Sequence, residues 1–210
     1  MLKGESMKLI IASNNKHKII EIKQILGKYF DTILSLNEAG IDHETIEDGN
    51  TFLENANKKA TEIAEISGCF SIADDSGLCV DALGGEPGIY SARYCGHHGD
   101  DEANNDLLIK NLTNEPNKAA HYTCAIVLAA PNGTTFSAED YMHGEIILER
   151  QGDNGFGYDP IFFLHEYNKT VAEISAEEKN KISHRAKALL KLLSILENSQ
   201  EFKKLAEEHK

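Results

Sequence analysis

Two adjacent acidic residues, Asp74 and Asp75, are the first candidates for chemistry in this sequence. An apolar run at residues 69–73 precedes them and a Ser-Gly pair follows, so the pattern predicts a strand that delivers two carboxylates to a turn. In α/β enzymes the ligand crevice lies outside the carboxyl ends of the strands. Asp75 could hold a divalent cation, act as a base, or do both. Adjacent strand residues point to opposite faces, so we expect Asp74 to have a different role.

A second candidate site is a polar segment between a predicted strand and a predicted helix. Backbone N–H groups at the start of a helix attract phosphate, and hydroxyl, amide and ammonium groups add further donors. The segment lacks glycine and a Gly-Lys-Ser/Thr sequence, so it is not a Walker A loop, and an ordinary polar helix start remains an alternative. Its residues are Ser13, Asn14, Asn15, Lys16, His17 and Lys18.

A third group of charged residues surrounds the start of another helix. Thr51 and Glu54 have the spacing of a capping box, which predicts a helix that reaches about residue 66 and gives Glu54 a structural role. Glu47 lies in the loop before this helix and is a candidate ligand for a cation. Lys58 and Lys59 are adjacent and cannot share one helix face, so at most one is expected to point into a site. Solvated charge is the alternative for both.

A glycine-rich loop near residue 155 is a candidate for binding a flat ligand. Phe156 or Tyr158 could stack on a nucleobase, and Asp159 offers acceptors for ring N–H groups. His184 and Arg185, at the start of a predicted helix, offer donors. The ordinary alternatives are a core position for the aromatic residue and a surface position for the His-Arg pair.

The elements that must position these residues alternate in the manner of an α/β fold. Residues 1–6 are expected to be a polar extension, residues 37–50 a loop, and residues 198–210 a charged tail that is helical or frayed. No repeat or linker divides the chain, so we expect a single domain over residues 1–210. The patterns predict strands at 8–12, 31–35, 69–75, 121–130, 134–140, 145–149 and 160–164, and helices at 15–28, 51–66, 100–112 and from 184 onward.

The composition of the chain argues against several classes of protein. The chain has 210 residues, of which 41% are hydrophobic, and a formal net charge of −13, which argues against a nucleic-acid binder. No apolar run is long enough to span a bilayer, and the N-terminus lacks a signal-peptide core. The four cysteines have no CxxC spacing and complete no zinc pattern, so we expect reduced thiols in the cytoplasm.

Taken together, the motifs closely resemble the inosine triphosphate pyrophosphatase family, also called non-canonical purine or dITP/XTP pyrophosphatases. The similarity covers about residues 8–196 and is greatest to the bacterial branch. Agreement across six separated blocks is not expected by chance. In chain order the blocks are Ser-x-Asn-x-x-Lys, Phe-x-Glu-Asn-Ala, Ala-Asp-Asp-Ser-Gly-Leu, Leu-Gly-Gly-x-Pro-Gly-Ile-Tyr-Ser-Ala-Arg-Tyr, Gly-Phe-Gly-Tyr-Asp-Pro-Ile-Phe and Glu-Lys-Asn-x-Ile-Ser-His-Arg.

The resemblance implies a role for each candidate residue. Glu47 and Asp75 match the magnesium ligands of the family, and Asp75 also matches its general base. Lys59 fits the lysine that reaches the phosphates, and Ser76 matches a substrate contact. Ser13, in place of a commoner Thr, begins the triphosphate-binding segment that ends at Lys18. The base-binding loop and the remaining nucleotide contacts are matched by Phe156, Gly157, Tyr158, Asp159, Lys179, His184 and Arg185.

The resemblance also implies an architecture and a reaction. The family has a mixed sheet flanked by helices in an elongated two-lobed molecule, with the active site in the cleft between the lobes, and is usually a homodimer. The expected reaction is magnesium-dependent hydrolysis of ITP, dITP or XTP to the monophosphate and pyrophosphate, with no nucleic-acid or membrane partner. The alternatives are a pyrophosphatase for modified pyrimidine triphosphates and an acidic nucleotide-binding protein without catalysis.

Overall fold

The computed structural model describes residues 7–27, 30 and 32–209. The predicted extension at 1–6 and the predicted element ends at 28, 31 and 210 lie outside these residues. Seven strands and six helices follow one another within the described part. They are β1 (Lys8–Ile11), α1 (Lys16–Leu26), β2 (Thr32–Ser35), α2 (Phe52–Ser67), β3 (Phe70–Val80), α3 (Asp101–Leu112), β4 (Ala119–Ala129), β5 (Thr135–Ile146), β6 (Phe162–Leu164), β7 (Lys169–Thr170), α4 (Ala176–Ile182), α5 (His184–Asn198) and α6 (Gln200–Glu208).

The strands form one mixed sheet, which confirms the predicted fold class. The hydrogen-bonded order is β2-β1-β3-β4-β5-β6-β7. β1 is parallel to β2 and β3, whereas β6 is antiparallel to β5 and β7. Ile11 of β1 pairs with Ile72 of β3, so this parallel pairing ends two residues before Asp74. The two carboxylates therefore lie within β3, just beyond the carboxyl end of β1.

The chain divides into two compact units. The first comprises Met1–Asp75, Cys124–Asp140 and Arg185–Lys210, and the second comprises Ser76–Thr123 and Tyr141–His184. Strands β3, β4 and β5 have residues in both units.

The first unit buries both faces of its part of the sheet. Ile11 and Ile72 belong to a cluster that includes residues of α1, α5 and α6, whereas Ile10 and Ala73 belong to a cluster with residues of α2. Alternation along β1 and β3 assigns the two clusters to opposite faces of the sheet. Asp74 continues the face of Ile72, and Asp75 continues the face of Ala73.

The second unit has a core of its own. Leu108 and Leu112 of α3 are fully buried there together with Leu78 and Val80 of β3 and Phe162 of β6. This burial explains why the prediction of a turn at Ser76-Gly77 was wrong. β3 continues to Val80 because its last residues are needed in this core, and tertiary burial overrides the local turn signal.

The predicted break between two strands at residues 134–140 and 145–149 was also wrong. A single strand, β5, covers Thr135–Ile146, and residues 147–149 lie beyond its end. Met142 and Ile146 are buried while the polar residues between them are exposed or half-buried, so one-sided burial carries the strand through a polar stretch. The strand predicted at 160–164 begins only at Phe162, because Asp159–Ile161 forms a 3-10 turn that contains a proline.

The ends of α2 follow from its capping residues. The Thr51 hydroxyl accepts the backbone N–H of Glu54, and Gly68 ends the helix in the left-handed conformation with φ 62°. The Glu54 carboxylate accepts the N–H of Asn50 rather than that of Thr51, so the reciprocal half of the predicted capping box is displaced by one residue. Glu54 thus has the structural role expected from the sequence.

The charged C-terminal segment contains a helix that contributes to the core. In α6, Phe202 is fully buried, with its ring at 5.9 Å from that of Phe70 and 5.7 Å from that of Phe136 in edge-on contacts. Leu205 is buried beside it. Within the described part of the chain, no helix has the length and apolar character required to cross a membrane.

Candidate active site

Glu47 and Asp75 meet at a single ammonium group, that of Lys59. The Lys59 Nζ atom lies 2.8 Å from Glu47 Oε1 and 3.2 Å from Asp75 Oδ1. The lysine projects from α2, Asp75 from β3, and Glu47 from the loop before α2. The neighbouring Lys58 instead donates to the exposed carboxylate of Asp48 at 2.7 Å. The prediction that the two adjacent lysines do not share one helix face is confirmed, and of the two it is Lys59 that contacts Glu47 and Asp75.

The electrostatics of this cluster favour a cation. Burial raises the pKa of Asp75, and the charge of Glu47 raises it further. Lys59 and Lys18 lower it, but the net shift is upward. Burial lowers the pKa of Lys59, but the charges of Asp75 and Glu47 outweigh burial and raise it above its ordinary value. Two carboxylates share one ammonium, so the cluster carries a negative charge when both are ionised, and a divalent cation can balance that charge.

Asn55 also belongs to this cluster, although it was not among the predicted site residues. It is 1% exposed, and its Nδ2 donates to Asp75 Oδ2 at 3.2 Å. Its Oδ1 accepts the backbone N–H of Gly49 at 2.9 Å. Asn55 precedes Lys59 by four residues in α2, so the two share one helix face. That spacing was the available signal.

The loop that carries Glu47 runs along α2 in the opposite direction. His43 and Thr45 both bond to the Glu62 carboxylate, at 2.8 and 2.7 Å. Further along the loop the partners come from progressively earlier turns of α2. They are Glu47 with Lys59, Asp48 with Lys58, the Gly49 N–H with Asn55, and the Asn50 N–H with Glu54.

Asp74 belongs to a separate set of ion pairs on the other face of the sheet. Its Oδ2 lies 3.0 Å from Lys18 Nζ, and it accepts hydrogen bonds from Arg185 Nη2 at 3.0 Å and Nε at 3.2 Å. Arg185 Nη1 donates to Glu21. Burial alone would raise the pKa of Asp74, but Lys18 and Arg185 hold it well below its usual range. The two adjacent aspartates thus have different partners, and the difference in role expected from strand alternation stays a prediction.

The polar segment before α1 is partly used to cap that helix. Asn15 Oδ1 accepts the N–H groups of His17 at 3.0 Å and Lys18 at 3.2 Å, and the Ser13 hydroxyl accepts the N–H of Asn15 at 3.2 Å. Asn14, Asn15, Lys16 and His17 are exposed. The capping fits the ordinary role of a polar helix start, and triphosphate binding by this segment stays a prediction.

In the second unit, the loop at 155–159 presents one aromatic ring. Tyr158 is 3% exposed and its hydroxyl donates to the backbone oxygen of Ser91 at 2.9 Å, so its ring belongs to the core. Phe156 is half-buried, and the ammonium of Lys179 lies 4.5 Å from the centroid of its ring. Of the two predicted stacking residues, only Phe156 has an accessible ring.

Asp159 holds this loop in place. Its Oδ2 accepts the N–H of Phe156 at 3.0 Å and the Lys179 ammonium at 2.6 Å, and its Oδ1 accepts the Tyr122 hydroxyl at 3.4 Å. A side chain at Gly155 would place its Cβ 2.0 Å from Asp159 Oδ2, and Gly155 has φ +80°, so both space and backbone require glycine. Base recognition by Asp159 stays a prediction.

Three further residues complete the surroundings of the loop. The Gly157 N–H donates to Asp101 Oδ2 at 2.7 Å, and its backbone oxygen accepts from Asn105 Nδ2 at 2.9 Å. His184 is 5% exposed and stacks on Tyr122 with a centroid distance of 4.8 Å. Burial, followed by the charge of Asp159, raises the pKa of Tyr122 well above its ordinary value, so its hydroxyl remains a donor.

Comparison with known proteins identifies the family. A profile of the Ham1 family matches residues 9–195. The chain belongs to the Ham1 family. It is 51% identical over 193 residues to a dITP/XTP pyrophosphatase of Clostridium perfringens, which covers 88% of this chain and 95% of that protein. A dITP/XTP pyrophosphatase of Bacillus subtilis is 45% identical over 190 residues, or 90% and 96% of the two chains.

Solved structures of Ham1 proteins have the same fold. The Staphylococcus aureus Ham1 protein superposes with a TM-score of 0.82 at 43% identity, covering 90% of this chain and 98% of that one. A HAM1 protein from Coxiella burnetii gives a TM-score of 0.83 at 34% identity, covering 92% and 100%. The resemblance drawn from the six sequence blocks is confirmed, and the region matched to the Ham1 family contains every predicted site residue, from Ser13 to Arg185.

The donor chemistry of this Ham1 protein fits magnesium. Among residues 7–27, 30 and 32–209, no three His, Cys, Asp or Glu side chains form a ready metal cage. Mg²⁺ does not need one, because it prefers hard oxygen ligands and commonly uses one or two carboxylates with waters and substrate phosphates. Glu47 and Asp75, which share Lys59, are such a carboxylate pair.

Proposed function

We propose that this protein hydrolyses non-canonical purine nucleoside triphosphates (ITP, dITP and XTP) to the monophosphate and pyrophosphate. The observation that carries the proposal is the convergence of Glu47 and Asp75 on Lys59 just beyond the carboxyl end of β1. Such a group can bind a metal–triphosphate and activate water. The 51% identity to a dITP/XTP pyrophosphatase supports the substrate class.

The chemistry assigned to the chain is a single displacement at the α-phosphorus. Asp75 orients the attacking water and accepts its proton, the water oxygen bonds to the α-phosphorus, and the bond to the bridging oxygen breaks. Pyrophosphate leaves with the electron pair. Lys59 and Lys18 neutralise charge on the phosphoryl oxygens and on the leaving group. The segment from Ser13 to Lys18 and the Ser76 hydroxyl add donors to the phosphates.

Glu47 and Asp75 would hold the magnesium ion. When bound, the ion supplies positive charge to the triphosphate oxygens. The surplus negative charge of the two carboxylates over their shared ammonium supports this assignment.

The residues around Phe156 recognise the purine base in this proposed reaction. Its half-buried ring stacks on the purine, and Gly157 lets the backbone approach the base. Donors from Lys179, His184 or Arg185 satisfy the O6 atom of hypoxanthine or xanthine, whereas adenine would place its N6 amino group against a donor and leave both without a partner. Guanine carries the same O6 atom, so discrimination against it has to depend on its 2-amino group.

A kinetic panel tests the reaction and the specificity together. Pyrophosphate release is measured with ITP, dITP, XTP, ATP, GTP, UTP and dUTP, each with Mg²⁺ and with EDTA. We expect kcat/KM to be highest for the first three and EDTA to abolish turnover. Preference for ATP or GTP would defeat the assigned base recognition. A preference for UTP or dUTP would indicate a pyrimidine house-cleaning enzyme, and no turnover would indicate a binding protein.

The cellular setting and assembly are part of the same proposal. The protein works in the cytoplasm as a homodimer and removes deaminated purine nucleotides before polymerases use them. The net charge of −13 disfavours association with nucleic acid. Sedimentation at micromolar concentration tests the dimer, and a monomer across that range would contradict it.

A further inference from the structure

We infer that Asn55 is a positioning residue that sets the separation of Glu47 and Asp75 and thereby the affinity of this carboxylate pair for a divalent cation. The inference rests on the proposed function, because it concerns the same pair. It adds a residue whose side chain touches neither phosphate nor base in that proposal. The Asn55 amide affects metal binding indirectly, because it bonds to Asp75 in β3 and to Gly49 in the loop that carries Glu47.

The Asn55 side chain connects the two carboxylate-bearing segments directly. Its Nδ2 donates to Asp75 Oδ2 at 3.2 Å, and its Oδ1 accepts the N–H of Gly49 at 2.9 Å. Gly49 is two residues beyond Glu47. One planar amide, buried to 1% exposure, therefore fixes the position of the Glu47 loop relative to Asp75.

The space at Gly49 gives independent support. A Cβ atom there would lie 2.7 Å from Asn55 Oδ1 and 2.8 Å from Glu54 Cβ. Gly49 is not among the glycines with positive φ, so the backbone conformation does not demand glycine at this position. Glycine is required there because the loop approaches Asn55 so closely. Any side chain would force the loop away from the helix and lengthen the hydrogen bond to Asn55.

The orientation of Asp75 follows from two residues of one helix face. Asn55 donates to Oδ2 and Lys59 to Oδ1, so the plane of the carboxylate is held from both of its oxygens. The same lysine holds Glu47. Without the amide, Asp75 can rotate about its side-chain torsions and the Glu47 loop loses its bond to α2. Loss of such an outer partner typically weakens metal binding about 10- to 100-fold.

The test measures Mn²⁺ binding to the nucleotide-free protein by the electron paramagnetic resonance signal of free Mn²⁺. We expect Asn55→Ala to raise the Kd for Mn²⁺ about 10- to 100-fold. Gly49→Ala should raise the Kd as well, because it disturbs the same hydrogen bond from the other side. The double variant should bind no more than about twofold more weakly than Asn55→Ala, since coupled positions are not additive.

The matched control is Asp48→Asn. It removes another bond between the loop and α2, to Lys58, at an exposed position that does not touch Asp75. We expect its Kd for Mn²⁺ to stay within about twofold of wild type, as surface ion pairs contribute little. Circular dichroism and thermal unfolding verify that each variant is folded, and if Asn55→Ala does not fold, Gly49→Ala decides the outcome.

Three results would overturn the inference: wild-type Mn²⁺ affinity in a folded Asn55→Ala protein, equal weakening by Asp48→Asn, or no Mn²⁺ binding by the wild type at millimolar concentration. Activity separates this inference from the proposed function. A wild-type protein that binds Mn²⁺ but releases no pyrophosphate from ITP refutes the proposed reaction, while the binding comparison still decides the role of Asn55. In an active protein, excess Mg²⁺ should restore much of the kcat of Asn55→Ala.

Discussion

Asp74 and Asp75 are neighbours in β3, yet their carboxylates lie on opposite faces of the sheet and pair with different cationic side chains. Asp74 pairs with Lys18 and Arg185, and Asp75 pairs with Lys59. One position is therefore suited to holding the fold and the other to chemistry. The two aspartates should respond differently to the same substitution.

Asp75→Asn should remove activity without lowering stability. Loss of a general base typically reduces kcat about 100- to 10,000-fold. Because burial raises the pKa of Asp75, the folded protein binds this proton more tightly than the unfolded chain does. Above the raised pKa, the ionised carboxylate therefore lowers the free energy of unfolding. In EDTA at pH 7 we expect a Tm no lower than wild type. Pyrophosphate release and thermal unfolding check both points, and near-wild-type turnover would refute the catalytic role.

Asp74→Asn should instead destabilise the fold. Removing one partner of a buried ion pair typically costs about 3–5 kcal/mol, because Arg185 remains buried without its main counter-charge. The pKa of Asp74 is lowered by Lys18 and Arg185, so its contribution is complete above its unfolded pKa of about 4 and is lost as the pH falls toward the folded value. Urea unfolding at pH 7 and pH 3 should show the difference from wild type narrowing at the lower pH. A constant difference would contradict this assignment.

The adjacent lysines of α2 offer a matched pair of variants. Lys59→Met removes the ammonium shared by Glu47 and Asp75, and we expect kcat to fall at least about 100-fold, as for loss of one transition-state donor. Lys58→Met removes only an exposed ion pair with Asp48 and should keep kcat within about twofold. Steady-state kinetics with ITP, on proteins of equal helical content, distinguish the two. Equal losses would mean that position on the helix face does not matter.

Phe156→Ala should weaken substrate binding more than turnover. Stacking of a base on an aromatic ring is worth about 1–3 kcal/mol, so the KM for ITP should rise about 5- to 150-fold with kcat little changed. Phe156→Tyr retains the ring and should keep KM near wild type. If the alanine variant leaves KM unchanged, Phe156 serves only as a partner for Lys179, which lies over its ring.

Much of the first unit could be predicted because its signals are local. Alternation in β3 predicted that Asp74 and Asp75 would differ, helix geometry predicted that Lys58 and Lys59 would diverge, and the spacing of Thr51 and Glu54 predicted the start of α2. These features depend on residues within a few positions of one another. The match to the Ham1 family over residues 9–195 confirms the resemblance indicated by the six short motifs.

The rest depended on residues far apart in the sequence. Arg185 reaches Asp74 across 111 positions, and the Asn105 side chain reaches Gly157 across 52. No local pattern reports such contacts. The same limit explains the missed continuation of β3, because the turn signal at Ser76-Gly77 is local whereas the burial of Val80 is tertiary. The spacing of Asn55 and Lys59 places both on one helix face, but it does not indicate that Asn55 bonds to Asp75, which is 20 positions away.

The loop that carries Glu47 was expected to be irregular, and it has no regular secondary structure. Its partners on α2 nevertheless follow in reverse chain order, from Glu62 to Glu54. Each bonded position of the loop is therefore fixed by a partner on α2. Point substitutions at exposed positions such as Asp48 leave the remaining bonds aligned. A single inserted or deleted residue between His43 and Asn50 would shift every later partner by one position and move Glu47 away from Lys59. The chain length of this segment should be far less tolerant of change than its composition.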